Sequence, residues 1–200
     1  MATRKTVNGN LIYNGNFEYL PSSNVATTTS SRWMDGTASG SLTNGIFGWF
    51  ASYPANNASV FFDTTVRYNK YPTIKLSTLD ATGRARAWTT NNATTSAVTA
   101  SARPYMIPLR PKTSYTLSAY AKTNNVVGTS MSIYQYTGDW ITSATTGTST
   151  NAISGTNDFT LLTLTWTTNA DCAWAEVILR NDTAGKISDA WFGNISLIET

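Results

Sequence analysis

Short runs of alternating polar and apolar residues, parted by turn residues, recur along most of the chain and restrict it to a β fold. The clearest is Ser114 to Lys122, where Tyr115, Leu117, Ala119 and Ala121 alternate with Thr116, Ser118, Tyr120 and Lys122. Successive side chains of a strand point to opposite faces, so this spacing sends one set to a core and the other outward. Comparable runs are read at Phe47–Phe50, Ser59–Asp63, Thr73–Leu76, Arg84–Thr89, Ser130–Tyr136, Trp140–Ser143, Phe159–Thr167, Ala173–Arg180 and Ala190–Ile198. Pro104 and Pro108 bracket an edge or connecting segment, because proline cannot donate to a ladder. No segment carries a helical period, and no internal repeat is visible.

The spacing predicts one domain. Residues 1–9 are a polar lead-in and residues 10–200 a single β-sandwich. Asn10–Glu18 (NLIYNGNFE) reads as a short strand running into a turn. A Ser/Thr/Asn/Gly-rich connection follows from Tyr19 to Gly45, pinned to the body through Arg32, Trp33 and Met34. Asn124-Asn125 with Gly128, and Thr137-Gly138-Asp139, read as hairpin connections. Thr145–Asn157 reads as a surface loop.

Composition removes several functions. Charged residues are 12% of the chain and aromatic residues another 12%, the reverse of a disordered sequence. A net charge of +3 is not the concentrated basic face that nucleic acid requires, so no nucleic-acid partner is expected. No apolar run is long enough for membrane insertion. No secretory signal is read in MATRKTVNGN, and assembly into a virion is one way such a chain reaches the outside. There is no His, which excludes Ser-His-Asp and Cys-His catalysis. Cys172 is the single cysteine and is read as a small buried hydrophobe. No Gly-rich phosphate loop is present.

Several segments then fall in a recognisable order: NGNFE at Asn14–Glu18, Gly48-Trp49, IPLRPKTSYTLSAYAK at Ile107–Lys122, FTLLTLTWTT at Phe159–Thr168, AWAEVILRND at Ala173–Asp182, and AWFGNISLIE at Ala190–Glu199. The set resembles the carbohydrate-binding modules of the cellulase- and xylanase-associated type (families four, nine and twenty-two) within the galactose-binding-like jelly-roll superfamily. The resemblance implies an all-β, two-sheet antiparallel sandwich with jelly-roll topology, its first and last strands adjacent. It implies a non-catalytic module whose partner is a polysaccharide or cell-surface glycan. It also implies a structural calcium between Glu18 and an acid of the last strand. Gly193-Asn194 stand where the family has that acidic pair, which removes a ligand oxygen.

A sugar-binding face needs aromatic platforms beside fixed hydrogen-bonding groups. Period-two reading supplies candidates: Arg84, Arg86 and Trp88 share one face, Tyr134 and Tyr136 another, and Trp174, Glu176 and Arg180 a third, with Tyr120 and Trp140 expected to join them. Trp49, Trp166 and Trp191 are assigned to the core. Arg67, Lys70, Lys75, Arg84 and Arg86 form the one basic concentration, suited to an anionic polymer or to a solvated strand face. A glycosidase needs two facing carboxylates, and only Glu176 falls on the candidate face. The reading is therefore an extracellular or virion-surface binding and adhesion module. Its alternative is a capsid-decorating or tail-associated phage protein that uses the same jelly roll for assembly with virion proteins or for host attachment.

Overall fold

The structure, a computed structural model, describes residues 9–12, 15–17, 31–35, 49–55, 58–89, 106–138, 148–181 and 185–200. Among them lie β1 (Ser31–Asp35), β2 (Phe50–Ala55), β3 (Ala58–Tyr68), β4 (Tyr71–Thr78), β5 (Arg84–Trp88), β6 (Ile107–Pro108), β7 (Ser114–Tyr136), β8 (Thr148–Ser149), β9 (Ile153–Thr167), β10 (Trp174–Asn181) and β11 (Ser188–Glu199). All strand pairs are antiparallel. The first sheet runs β1-β3-β4-β11-β7-β9 and the second β2-β5-β10-β7-β8, with β6 also paired to β10. This is an all-β, two-sheet antiparallel sandwich of the jelly-roll kind, with no helix among the described residues. The expected strand at Trp140–Ser143 lies outside the described residues.

The two sheets share β7. Its first half pairs with β11 and β9, and its second half with β10 and β8. The expected hairpin at Asn124-Asn125 and Gly128 is therefore corrected to a bend inside one continuous strand. Residues able to take positive φ mark a bulge as readily as a turn. Asn125 has φ 58, Gly155 across the ladder has φ 82, and the β7–β9 register shifts between Ala121 and Thr129. Polar groups at the bend find partners: Asn125 N donates to Thr156 Oγ1 at 3.0 Å, and Ser154 Oγ to the Val127 carbonyl at 2.6 Å. The expected Thr145–Asn157 loop is corrected in the same way. Its described part holds β8 and the start of β9, which follows β7 round the bend.

The inward faces make one core. Ile74 and Leu76, Leu117 and Ala119, Phe192 and Leu197 come from the first sheet, and Ala87, Met131, Val177 and Leu179 from the second. Trp49 and Trp166 join it, as expected. Tyr115 is also buried there, and its hydroxyl accepts the Arg110 N–H at 2.9 Å, which anchors the turn before β7. Cys172 is buried just before β10, and burial pushes its thiol up to about 11.

The chain ends are joined as expected. Leu11 N donates to the Leu197 carbonyl at 2.8 Å. Asn10 clips the same strand twice: Nδ2 donates to the Ile195 carbonyl and Oδ1 accepts from Leu197 N, both at 2.9 Å. Its Oδ1 also accepts from Ile12 N at 3.0 Å. Gly15 lies directly on β11, and a Cβ there would sit 2.0 Å from the Ile195 oxygen. Phe17 follows in the left-handed region at φ 56, held by complete burial and an edge contact with Trp49.

Trp191 corrects its assignment. It is buried, but on the outer face of the first sheet, where it alternates with the core residues Ala190 and Phe192. Its Nε1 donates to Asp63 Oδ2 at 2.8 Å, and Lys75 Nζ lies 5.0 Å from its ring centroid. On the same face Tyr68 stacks on Tyr120 at 4.0 Å and meets Phe159 edge-on at 5.1 Å. Tyr68 crosses the sheet over Gly193, where a Cβ would come within 2.9 Å of the Tyr68 Cβ.

Three outcomes are expected. Asn10→Ala loses the clip between the ends and costs about 2 kcal/mol in urea unfolding. Gly193→Ala forces Tyr68 off the sheet and costs about 1–3 kcal/mol by the same measurement. The third concerns pH. Burial alone would raise the Asp63 carboxyl, but hydrogen bonds from Thr65 Oγ1, Val66 N, Trp191 Nε1 and Thr65 N outweigh it and hold the group below its ordinary 3.8. A folded value below the unfolded one adds stability that is complete above the unfolded value and lost as pH falls through the folded one. Asp63→Asn therefore lowers stability at neutral pH and narrows its gap from the parent below pH 3.8, measured by thermal melts across acid pH.

Candidate functional site

The outer face of the second sheet gathers most of the residues expected to meet a ligand. Two rows run across β5, β10 and β7, and a third across β10 and β7, built by antiparallel register. Trp88 of β5 pairs with Ile178 of β10, which pairs with Ser132 of β7. Arg86 pairs with Arg180, and Arg180 with Ser130. Glu176 pairs with Tyr134. At the far end Trp174 lies between Pro108 of β6 and Tyr136 of β7. Alternation places Ala85, Ala87, Ala175, Val177, Leu179 and Ile133 on the core side, so this polar and aromatic set faces away from it.

The side chains interlock. Tyr136 Oη donates to Glu176 Oε1 at 2.5 Å, and Arg180 Nη2 donates to Tyr134 Oη at 3.4 Å. The Trp88 and Tyr134 rings stack at 6.4 Å with planes 26° apart. The Arg86 guanidinium lies 5.9 Å from the Trp88 centroid, a cation–π contact. Glu176 is only 1% exposed and Ile178 fully buried, while Trp88, Tyr134, Trp174, Arg86 and Arg180 are half-buried. Arg84 is exposed at the start of β5. A carboxylate this far from water costs several kcal/mol unless it is hydrogen-bonded or paired, about 3–5 kcal/mol when one partner is removed. The Tyr136 hydroxyl is one partner that Glu176 has. Among the described residues Glu176 is the one carboxylate on this face.

One expected member does not assemble here. Tyr120 is on the first sheet, paired with Gly193 of β11 and Leu161 of β9, because the bend in β7 puts residues 114–124 and 130–136 in different layers. Trp140 lies outside the described residues. The basic concentration also divides between layers. Arg67 and Lys70 sit at the β3–β4 hairpin, Lys75 pairs with Asp189 at 3.1 Å, and Arg84 and Arg86 belong to the second sheet.

The described residues do not fit a calcium site at the place the resemblance implies. Glu18 lies outside them. Tyr68 and Thr73 fill the space a side chain at Gly193 would need. Asp189, the nearby acid, accepts from Ser77 with one oxygen and meets Lys75 with the other. No group of three His, Cys, Asp or Glu among the described residues could hold a metal.

The aromatic band of the first sheet's outer face escaped sequence reasoning. One signal for it was available: a glycine amid aromatics in a strand, Phe192-Gly193, marks a close approach by another part of the chain.

No protein-family model matches this chain, and no curated protein matches it in sequence. Its fold has many solved counterparts. A domain of bacteriophage CBA120 tailspike protein 4, described as enzymatically active, superposes with a TM-score of 0.62 at 13% identity, over 96% of this chain and 22% of that one. A cyclase from Fischerella sp. TAU superposes at 0.55 and 18% identity, over 93% and 94%. A CBM4 carbohydrate-binding module superposes at 0.51 and 16% identity, over 94% and 99%. This chain thus spans about a fifth of the tailspike chain and nearly all of the other two, and at these identities what it shares with them is the jelly-roll fold.

Proposed function

We propose that this chain is a non-catalytic carbohydrate-binding module acting outside the cell or on a virion surface. Its ligand face is the outer side of β5, β10 and β7. Trp88, Tyr134 and Trp174 supply the aromatic surface, with Tyr136 buried beneath them. Arg84, Arg86 and Arg180 supply the polar contacts, and the buried Glu176 braces the face from beneath through Tyr136. The observation that carries this reading is the network of Glu176 with Tyr136 and Arg180 with Tyr134 beside the Trp88 ring. The core side of these strands is mainly aliphatic, Ala85, Ala87, Ala175, Val177 and Leu179, so their aromatic and charged residues gather on the outer side. A sugar ring offers an apolar face to aromatics and hydroxyls to fixed polar groups. Structural likeness to a CBM4 module supports the same reading. A single carboxylate among the face's described residues is short of the pair a glycosidase uses.

The second reading is a virion component that uses this sandwich for assembly or host attachment. The superposition on a phage tailspike domain favours it. The two readings are compatible, since a virion protein also meets host glycans.

A glycan array with the purified chain, followed by calorimetry on the hits, tests the proposal. Trp88→Ala is expected to weaken binding about tenfold, from ~1–2 kcal/mol of lost ring–sugar burial. Thr163→Ala, on the other sheet, leaves affinity unchanged. A blank array from a folded chain moves the function to assembly, and equal loss in both variants removes this face as the site.

A further inference from the structure

The free edge of the first sheet carries an inference independent of the sugar face. β9 ends that sheet. Among the described residues only β7 pairs with it. It is 15 residues long, whereas strands are mostly about 5–6. Edge strands invite pairing with another chain, and proteins blunt them with short length, proline, lysine or bulges. Ile153–Thr167 has no Pro, Lys or Arg. Its one charge, Asp158, is bonded to Lys122 of the same chain at 2.9 Å. The bulges lie at its first end, and from Thr160 to Thr167 its register with β7 is unbroken. Thr160, Leu161, Thr163, Thr165 and Thr167 are exposed, Leu161 at 51%. Leu164, on the core side, is only half-buried. The hydrogen bonds of the β9 side chains run to β7 or within β9 itself.

We propose that β9 is an assembly edge that pairs antiparallel, about a two-fold axis, with β9 of a second copy of this chain. Charge selects this occupant. A neutral Thr/Leu edge whose sole acid is already neutralised has nothing to attract a charged partner strand and nothing to repel its own copy. A strand opposed to itself meets the same residue types in reverse order, so each contact is made twice. Centring the pair on Leu162 sets Leu161 against Thr163 of the second copy on the outer side and the half-buried Leu164 against Thr160 on the inner side. It also keeps the two Asp158 carboxylates about 27 Å apart along the ladder, at ~3.4 Å per residue. Two first sheets then form one continuous sheet, and the second-sheet faces stay open on both copies.

Sedimentation equilibrium of the full chain from about 1 µM to about 1 mM tests this, a range that spans weak to moderate association. The expected result is a monomer–dimer equilibrium. The double substitution Leu161→Lys with Thr163→Lys sets lysines against each other across the axis. It is expected to weaken dimerisation at least tenfold with little change in melting temperature. Hydrogen exchange on the unaltered chain is the second measurement, and decides the matter if the double variant fails to fold. Amides of 160–167 should slow as concentration rises, while those of β3 stay constant. A chain that is monomeric throughout, a dimer indifferent to the two lysines, or β9 exchange independent of concentration overturns the proposal.

Discussion

Strand β7 is the member on which both layers depend. At 23 residues it would run roughly 75 Å if straight, at ~3.3 Å per residue, far beyond the reach of one small sheet. Every backbone N–H and C=O along it still needs a partner. The chain meets that demand by bending between Ala121 and Thr129 and changing neighbours, from β11 and β9 to β10 and β8. Val126, 1% exposed, anchors the bend to the core. Both the tyrosine stack of one sheet and the Tyr134–Tyr136 pair of the other are set by this single strand, on opposite sides of the molecule.

The two outer faces use similar residues to different ends. On the first sheet the ionic groups serve aromatic clamps. Lys75 covers Trp191, Asp63 takes its indole N–H, and Lys122 lies over Phe159. These contacts close over their own rings and account for the residues present. On the second sheet Glu176 and Arg180 are bound to tyrosines beside a tryptophan, a costly arrangement for packing alone. On both faces a buried carboxylate accepts from an aromatic side chain, Asp63 from Trp191 and Glu176 from Tyr136.

Much of this was legible in residue order. Period-two alternation in β7 and β10 identified the buried rows, because a strand's geometry leaves one register that hides Ala175, Val177 and Leu179. The same alternation put Trp88, Tyr134, Trp174, Glu176 and Arg180 on outward faces. Two features misled it. Asn124-Asn125 and Gly128 carry the signature of a turn, and a bulge uses the same tolerance of positive φ. Trp191 was taken for core because a large aromatic in a strand usually is, whereas the Asp63 carboxylate and Lys75 give its polar edge and ring a place on the outer face.

The order of residues by itself determined the fold class and the inward rows of β7 and β10, since these follow from local strand geometry, and the motifs at the two ends pointed to their adjacency through their resemblance to a jelly roll. Only the tertiary structure decided which outward rows share a face. Alternation tells inside from outside on each strand but says nothing of which layer the strand joins. Tyr120 and Tyr134 are read alike in sequence, and the bend between them sends one to the first sheet and the other to the second.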